Sequence, residues 1–200
     1  MISAVRADSF VETSGVGEPL IARKARMHDI PRIVDLINGY AAEGVMLPRT
    51  EFEVSEAIRD FTVVTRGSQL LGCGALHFYS PTIGEIRSLA VHRVAKTHGV
   101  GRRLVEALVD EARDYQLDAV FAFTYVVEFF QKVGFQAVER GVLPLEAWKD
   151  CLRCPKFQAC DEVAVLSVLR PERWMESEPS LLGGAAPDDQ FIQIPTPRRV

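Results

Sequence analysis

Apolar and polar positions recur along this chain with two distinct periods. Ile30, Ile33, Val34, Ile37 and Ala41 follow one another at helical spacing, with Asp29 placed to cap the segment and Pro31 in its first turn. Gly101–Tyr115 carries the clearest helical stripe, built from Leu104, Val105, Leu108, Ala112 and Tyr115. Glu51–Asp60 and Val127–Lys132 read as shorter helices. Leu20–Arg26, Phe61–Thr65, Leu70–Tyr79, Ile83–Val91, Ala119–Thr124, Phe135–Val138 and Val163–Leu169 alternate or run apolar over strand lengths. The turn residues Arg66-Gly67-Ser68-Gln69 join two of them into a hairpin, and Val163–Leu169 is expected to close the sheet. Antiparallel strands followed by strand–helix–strand predict an α/β fold, with a mixed, mostly antiparallel central sheet flanked by helices.

The periodic pattern spans residues 20–169 and predicts one domain. Residues 1–19 form a polar leader, and residues 170–200 hold five of the eleven prolines with little pattern, a tail expected to be mobile or loosely docked. Neither the first twenty residues nor any later stretch is apolar enough for a signal peptide or a membrane span, so a cytoplasmic protein without a membrane partner is expected. A formal net charge of -4 gives no bulk reason to expect nucleic acid, and any positive site must be local.

Chemistry concentrates between Gly84 and Ala112. A strand ends at Val91, a loop follows, and Gly99-Val100-Gly101 opens the strongest helix. Amides at a helix start lack intrahelical partners and suit phosphate, and glycine lets backbone come close to it. Lys96, Arg102 and Arg103 flank the loop and can meet the same anion. A bare Gly-x-Gly is also a common tight turn, and this one completes neither a P-loop nor a dinucleotide fingerprint.

Lys96-Thr97-His98-Gly99-Val100-Gly101 resembles motif A of the GNAT acetyltransferases, with lysine in place of the usual Gln or Arg. Phe129-Phe130-Gln131-Lys132-Val133-Gly134-Phe135 resembles that family's later signature. The resemblance implies the GNAT fold and acetyl-CoA as co-substrate. Loop residues Lys96, Thr97, His98, Gly99, Val100, Gly101 and Arg102 would face its pyrophosphate, and Leu89-Ala90-Val91 would pair with its pantetheine arm. A narrower likeness lies in Gly72-Cys73-Gly74-Ala75-Leu76, Gly84-Glu85-Ile86-Arg87-Ser88-Leu89-Ala90-Val91, Phe123-Thr124-Tyr125 and Asp150-Cys151-x-x-Cys154-Pro155-Lys156-Phe157. These resemble the short, stand-alone N-acetylglutamate synthases, which implies an amino-acid acceptor, glutamate first, at the entry to arginine biosynthesis.

Aminolysis of a thioester requires a neutral amine, a polarised carbonyl and a proton for the departing thiolate. Glu85 is the candidate base, and a main-chain N–H around Leu89 the candidate carbonyl donor. Many GNAT enzymes hold a tyrosine where this chain has Phe130, which carries no proton. Thr124 or Tyr125 is therefore expected to serve the thiolate, directly or through water. A dicarboxylate acceptor calls for cations: Arg49, Arg87 on the Glu85 face of its strand, Arg153 and Lys156.

Cys151, Cys154 and Cys160 amount to three ligands of a zinc site, with the fourth missing unless Asp161, a histidine or a second chain provides it, so no metal is assigned. Another small amine or a protein N-terminus as acceptor, and an acetyl-CoA sensor without turnover, stay open. So does assembly as a homodimer.

Overall fold

The computed structural model describes residues 18–143 and 159–175. Its strands are β1 (Ile21–Lys24), β2 (Phe61–Arg66), β3 (Gln69–Phe78), β4 (Ile83–Val91), β5 (Ala119–Thr124), β6 (Gln136–Val138) and β7 (Val163–Val168). They form one sheet in the order β1-β2-β3-β4-β5-β7-β6. Pairs β1–β2, β2–β3, β5–β7 and β6–β7 are antiparallel, and β4 and β5 run parallel. This is the mixed α/β sheet that the pattern predicts. One placement differs: β7 pairs with β5 and β6 on its two sides, so β6 forms the edge.

Helices α1 (Ile30–Ala41), α2 (Glu51–Glu56), α3 (Val100–Asp114) and α4 (Val127–Lys132) accompany the strands. The described residues fall into two compact units. The first comprises those up to Ala75 with Ser88–Ala107, and the second Leu76–Arg87 with those from Leu108 on.

In the first unit, α1 buries Ile30, Ile33, Leu36 and Ile37 against Val63, Leu70 and Cys73. Burial pushes the Cys73 thiol up to about 12, which leaves it a protonated packing group. A second cluster joins Val64 and Leu71 to Ala95, Val100 and Leu104, and so anchors the start of α3. Gly72 lies where β3 meets that cluster. A Cβ there would come within 2.9 Å of the Ala90 carbonyl oxygen and 3.0 Å of Leu104, so close approach demands glycine.

Asp29 behaves otherwise than expected. Its backbone is already helical and its side chain makes no cap bond to α1. The carboxylate turns back to accept two hydrogen bonds from Arg23, at 2.7 and 3.0 Å, and one from the Arg26 amide at 2.8 Å. A 3-10 turn over Met27–Asp29 precedes α1, so the nearest open amide lies upstream. The Arg23 hydrogen bonds, with the Arg26 amide and the attraction of the guanidinium, hold this carboxyl below its ordinary range despite its burial.

In the second unit, Ile83, Ala119, Phe121, Ala164 and Leu166 form the core, and Leu143 and Trp174 pack into it. The first residues of the expected tail are thus docked. Helical residues 171–175 carry buried Trp174, while Arg170 and Arg173 reach the buried Asp118 carboxylate at 2.9 and 3.3 Å. The Asp118 carbonyl also accepts from the amides of Leu169 and Arg170. Proline content missed this because one tryptophan and two arginines outweigh a sparse pattern. Tyr115, expected on the α3 stripe, falls past the end of the helix. It is exposed and meets the Phe78 ring at 4.9 Å.

Among the described residues, no helix is long and apolar enough to cross a membrane. Most of the leader, the tail beyond 175, and Cys151, Arg153, Cys154 and Lys156 lie outside the described residues.

Candidate functional site

Two groups of predicted residues take shape, one in each unit, and β4 carries members of both.

In the first unit β4 ends at Val91, a 3-10 turn over Arg93–Ala95 follows, and Lys96–Gly99 form an exposed loop. Thr97 and Gly99 adopt φ of 70° and 79°. Nothing lies within 4 Å of a Cβ built on Gly99, so the loop needs glycine for its left-handed backbone rather than for protein crowding. Buried Val100 pins the start of α3, and the first helical hydrogen bond runs from the Arg103 amide to the Gly99 carbonyl at 2.9 Å. The amides of Val100, Gly101 and Arg102 precede that bond, as expected of a phosphate-binding helix start. The His98 Nδ1 donates to the Lys96 carbonyl at 2.9 Å, which closes the loop on itself. Arg102 is exposed, with Glu106 at 3.8 Å.

Ser88 interrupts β4 with a φ of 53°. Such a backbone costs a serine of order 1–3 kcal/mol and re-aims the amides that follow it. Regular alternation therefore does not carry from Glu85 through to Leu89, Ala90 and Val91. Leu89 and Val91 are half-buried and Ala90 is buried.

Arg49 also belongs to the first unit. Its side chain is 15% exposed and approaches Glu53 at 4.0 Å. Asn38 of α1 grips its backbone from both sides, donating to the Arg49 carbonyl and accepting from its amide, each at 2.9 Å. Tyr40, one residue pair further along α1, donates from its hydroxyl to the Val91 carbonyl at 2.7 Å. The sequence pattern singled out neither Asn38 nor Tyr40: Asn38 lies off the apolar stripe, Tyr40 packs against the core as an ordinary member of that face, and their hydrogen-bond partners are 11 and 51 residues away.

In the second unit Glu85 is buried, with 8% of its surface exposed. The Tyr79 hydroxyl donates to its Oε2 at 3.1 Å, and the Tyr79 ring is itself held by His77 at 5.0 Å and Phe121 at 5.7 Å. Tyr79 was missed as well; six residues back across a strand turn, it gives no periodic signal. Arg87 follows two residues on and is half-buried. Thr124 ends β5, buried, and its hydroxyl oxygen accepts from the Val126 amide at 3.0 Å, which leaves the hydroxyl proton for another acceptor. Tyr125 next to it is exposed. Phe130 is buried between the rings of Phe129 and Phe135, at 5.3 and 5.2 Å, and serves as packing.

Residues 34–135, half of the chain, match the model of the Acetyltransferase (GNAT) family. The chain belongs to that family. This GNAT acetyltransferase is an acyltransferase that uses acetyl-CoA as co-substrate, and the exposed, left-handed loop ahead of α3 fits a group that carries phosphates. It is 40% identical to an uncharacterised N-acetyltransferase of Chlorobaculum tepidum over 74% of this chain and 95% of that protein. An amino-acid acetyltransferase of Mycobacterium tuberculosis is 35% identical over 66% of this chain and 78% of its own length. Among solved structures, the N-acetylglutamate synthase of Neisseria gonorrhoeae, complexed with coenzyme A and N-acetyl-glutamate, matches with a TM-score of 0.69 at 29% identity. That match covers 77% of this chain but only 36% of the synthase chain.

Proposed function

We propose that this acetyltransferase acetylates the α-amine of an amino acid, glutamate first, and so feeds arginine biosynthesis. The observation that carries the reading is Arg49, a largely buried guanidinium on a backbone clamped by Asn38, in a relative of enzymes named amino-acid acetyltransferase. Arg49 is suited to hold a carboxylate of the acceptor by charge-assisted hydrogen bonds.

Acetyl-CoA supplies the acetyl group as a reactive thioester; the chain supplies the proton traffic and the alignment. Glu85 accepts the proton that an α-ammonium must lose, because at a pKa near 8 the amine is mostly protonated at neutral pH. The Tyr79 hydroxyl keeps the receiving carboxylate oriented. An amide beside Leu89, re-aimed by Ser88, donates to the carbonyl oxygen as the new C–N bond forms. The C–S bond then breaks, and the second proton of the former amine reaches the thiolate by a relay, in which the Thr124 hydroxyl hands on its own proton and takes one in the same step through water, so that neither an alkoxide nor a free thiolate is left. Of the two hydroxyls weighed for that step, the Thr124 one is buried and fixed, while Tyr125 is exposed. Arg87, Arg153 and Lys156 are proposed as further acceptor cations.

The test is a panel of amino acids, polyamines and peptides incubated with acetyl-CoA while free thiol is followed. Glutamate should lead. Arg49→Ala should raise the acceptor KM by the equivalent of about 2–5 kcal/mol with little change in the KM for acetyl-CoA. A preference for amines without a carboxylate rejects the amino-acid reading, and absence of thiol release with every acceptor favours a sensor.

A further inference from the structure

We infer that Tyr40 is a positioning residue for the cofactor loop, gathering Arg93 and Lys96 into a two-cation clamp for a phosphate of the acyl carrier. The inference rests on the reading that residues 96–101 receive those phosphates.

Three contacts converge on this side chain, all within the first unit. The hydroxyl is tied to the carbonyl of Val91, the last residue of β4. The Arg93 guanidinium lies over the ring at 5.4 Å from its centre, and the Lys96 ammonium at 5.2 Å. Both distances fall within the reach of cation–π attraction. One tyrosine thus fixes the end of the strand, the turn after it and the residue that opens the glycine loop.

Two like charges gathered on one ring repel each other unless an anion lies between or beside them. Glu43, three residues beyond Tyr40, pairs with Arg93 and supplies one negative charge. The pair is exposed, so it is readily exchanged for a more highly charged partner. A phosphate is such a partner: it offers more charge than a carboxylate and matches the planar fork of an arginine. The surroundings favour it too, since Lys96 leads directly into the amides of the Gly99 loop. A structural reading of Tyr40 as mere helix packing explains the ring but not why both cations of the turn are drawn to it.

Acetyl-CoA offers two sources of this chemistry, the pyrophosphate and the 3′-phosphate monoester. Binding of acetyl-CoA and of its 3′-dephospho form to the full chain, by calorimetry, separates them. Arg93→Ala changes an exposed residue and should leave the fold intact. It is expected to weaken binding of acetyl-CoA on the order of tenfold, the loss of one charge-assisted contact. Tyr40→Leu should do the same by releasing both cations, and Tyr40→Phe, which keeps the ring, should lose less. The acceptor KM should stay unchanged in all three, and the losses should shrink in high salt.

A loss confined to the full cofactor places the clamp on the 3′-phosphate, and an equal loss with both forms places it on the pyrophosphate. Wild-type affinity of Arg93→Ala for both forms overturns the inference. Gly99→Val distinguishes that failure from failure of the loop reading: if it too binds acetyl-CoA normally while folded, the loop does not hold phosphate at all.

Discussion

The two stretches of β4 are built in different ways, and the proposed function asks different things of them. Toward Val91, in the first unit, the tools are exposed backbone with left-handed residues and cations at the surface. Around Glu85, in the second unit, lies a buried carboxylate held by the phenol of Tyr79, just past the end of β3. A phosphate is large, fully charged and well served by amides in fixed array, so local backbone geometry suffices. A proton acceptor must be a single atom at the right place and in the right ionisation state, which takes side chains from distant positions. Sequence motifs therefore announce the first kind of site far more clearly than the second.

The sharpest way to break this comparison is Glu85→Gln. It should lower kcat by roughly 10² or more while acetyl-CoA binding persists, and the deficit should narrow at high pH as the amine deprotonates unaided. Near-normal turnover at neutral pH would remove the carboxylate from the chemistry. Tyr79→Phe should cost less, about tenfold in kcat, by deleting one hydrogen bond to a charged group. If it changed the KM for acetyl-CoA instead, the division between the two stretches would fail.

Stability effects sharpen the contrast at a smaller scale. Asp118→Asn leaves Arg170 and Arg173 without their buried anion, but both arginines are partly exposed and can turn to water. A loss of about 1–3 kcal/mol is expected in thermal or urea unfolding, with residues 170–175 released first in hydrogen exchange.

Asp29 gives the mildest test, through pH. Its folded carboxyl is held below the ordinary range, chiefly by the Arg23 hydrogen bonds. Its contribution is therefore complete above the unfolded value of about 4 and fades as pH falls through the lower folded value. Asp29→Asn should be less stable than wild type at neutral pH, and the gap should close in acid. A gap independent of pH would mean that the hydrogen-bond geometry matters and the charge does not.

Three local patterns give way to distant partners. Asp29 reads as a cap from its position alone, yet Arg23 and the Arg26 amide claim its carboxylate. Tyr115 matched the α3 period but fell one residue beyond the helix end. The tail from 170 lacked periodicity, yet Trp174 found a place in the second core. Each assignment was local, and each was decided by a residue or surface supplied from elsewhere in the chain.

By itself the sequence determined the order and type of the elements, because hydrophobic period follows directly from helix and strand geometry. It also singled out the glycine loop and Glu85 as candidates. Only the tertiary structure decided which side chains support them: Tyr40 at Val91, Asn38 at Arg49, Tyr79 at Glu85 and Asp118 at the last described helix. Those partners are separated by up to 55 residues, from Asp118 to Arg173. A hydrogen bond leaves no trace in the periodicity of either partner, so such contacts exist only once the chain has folded.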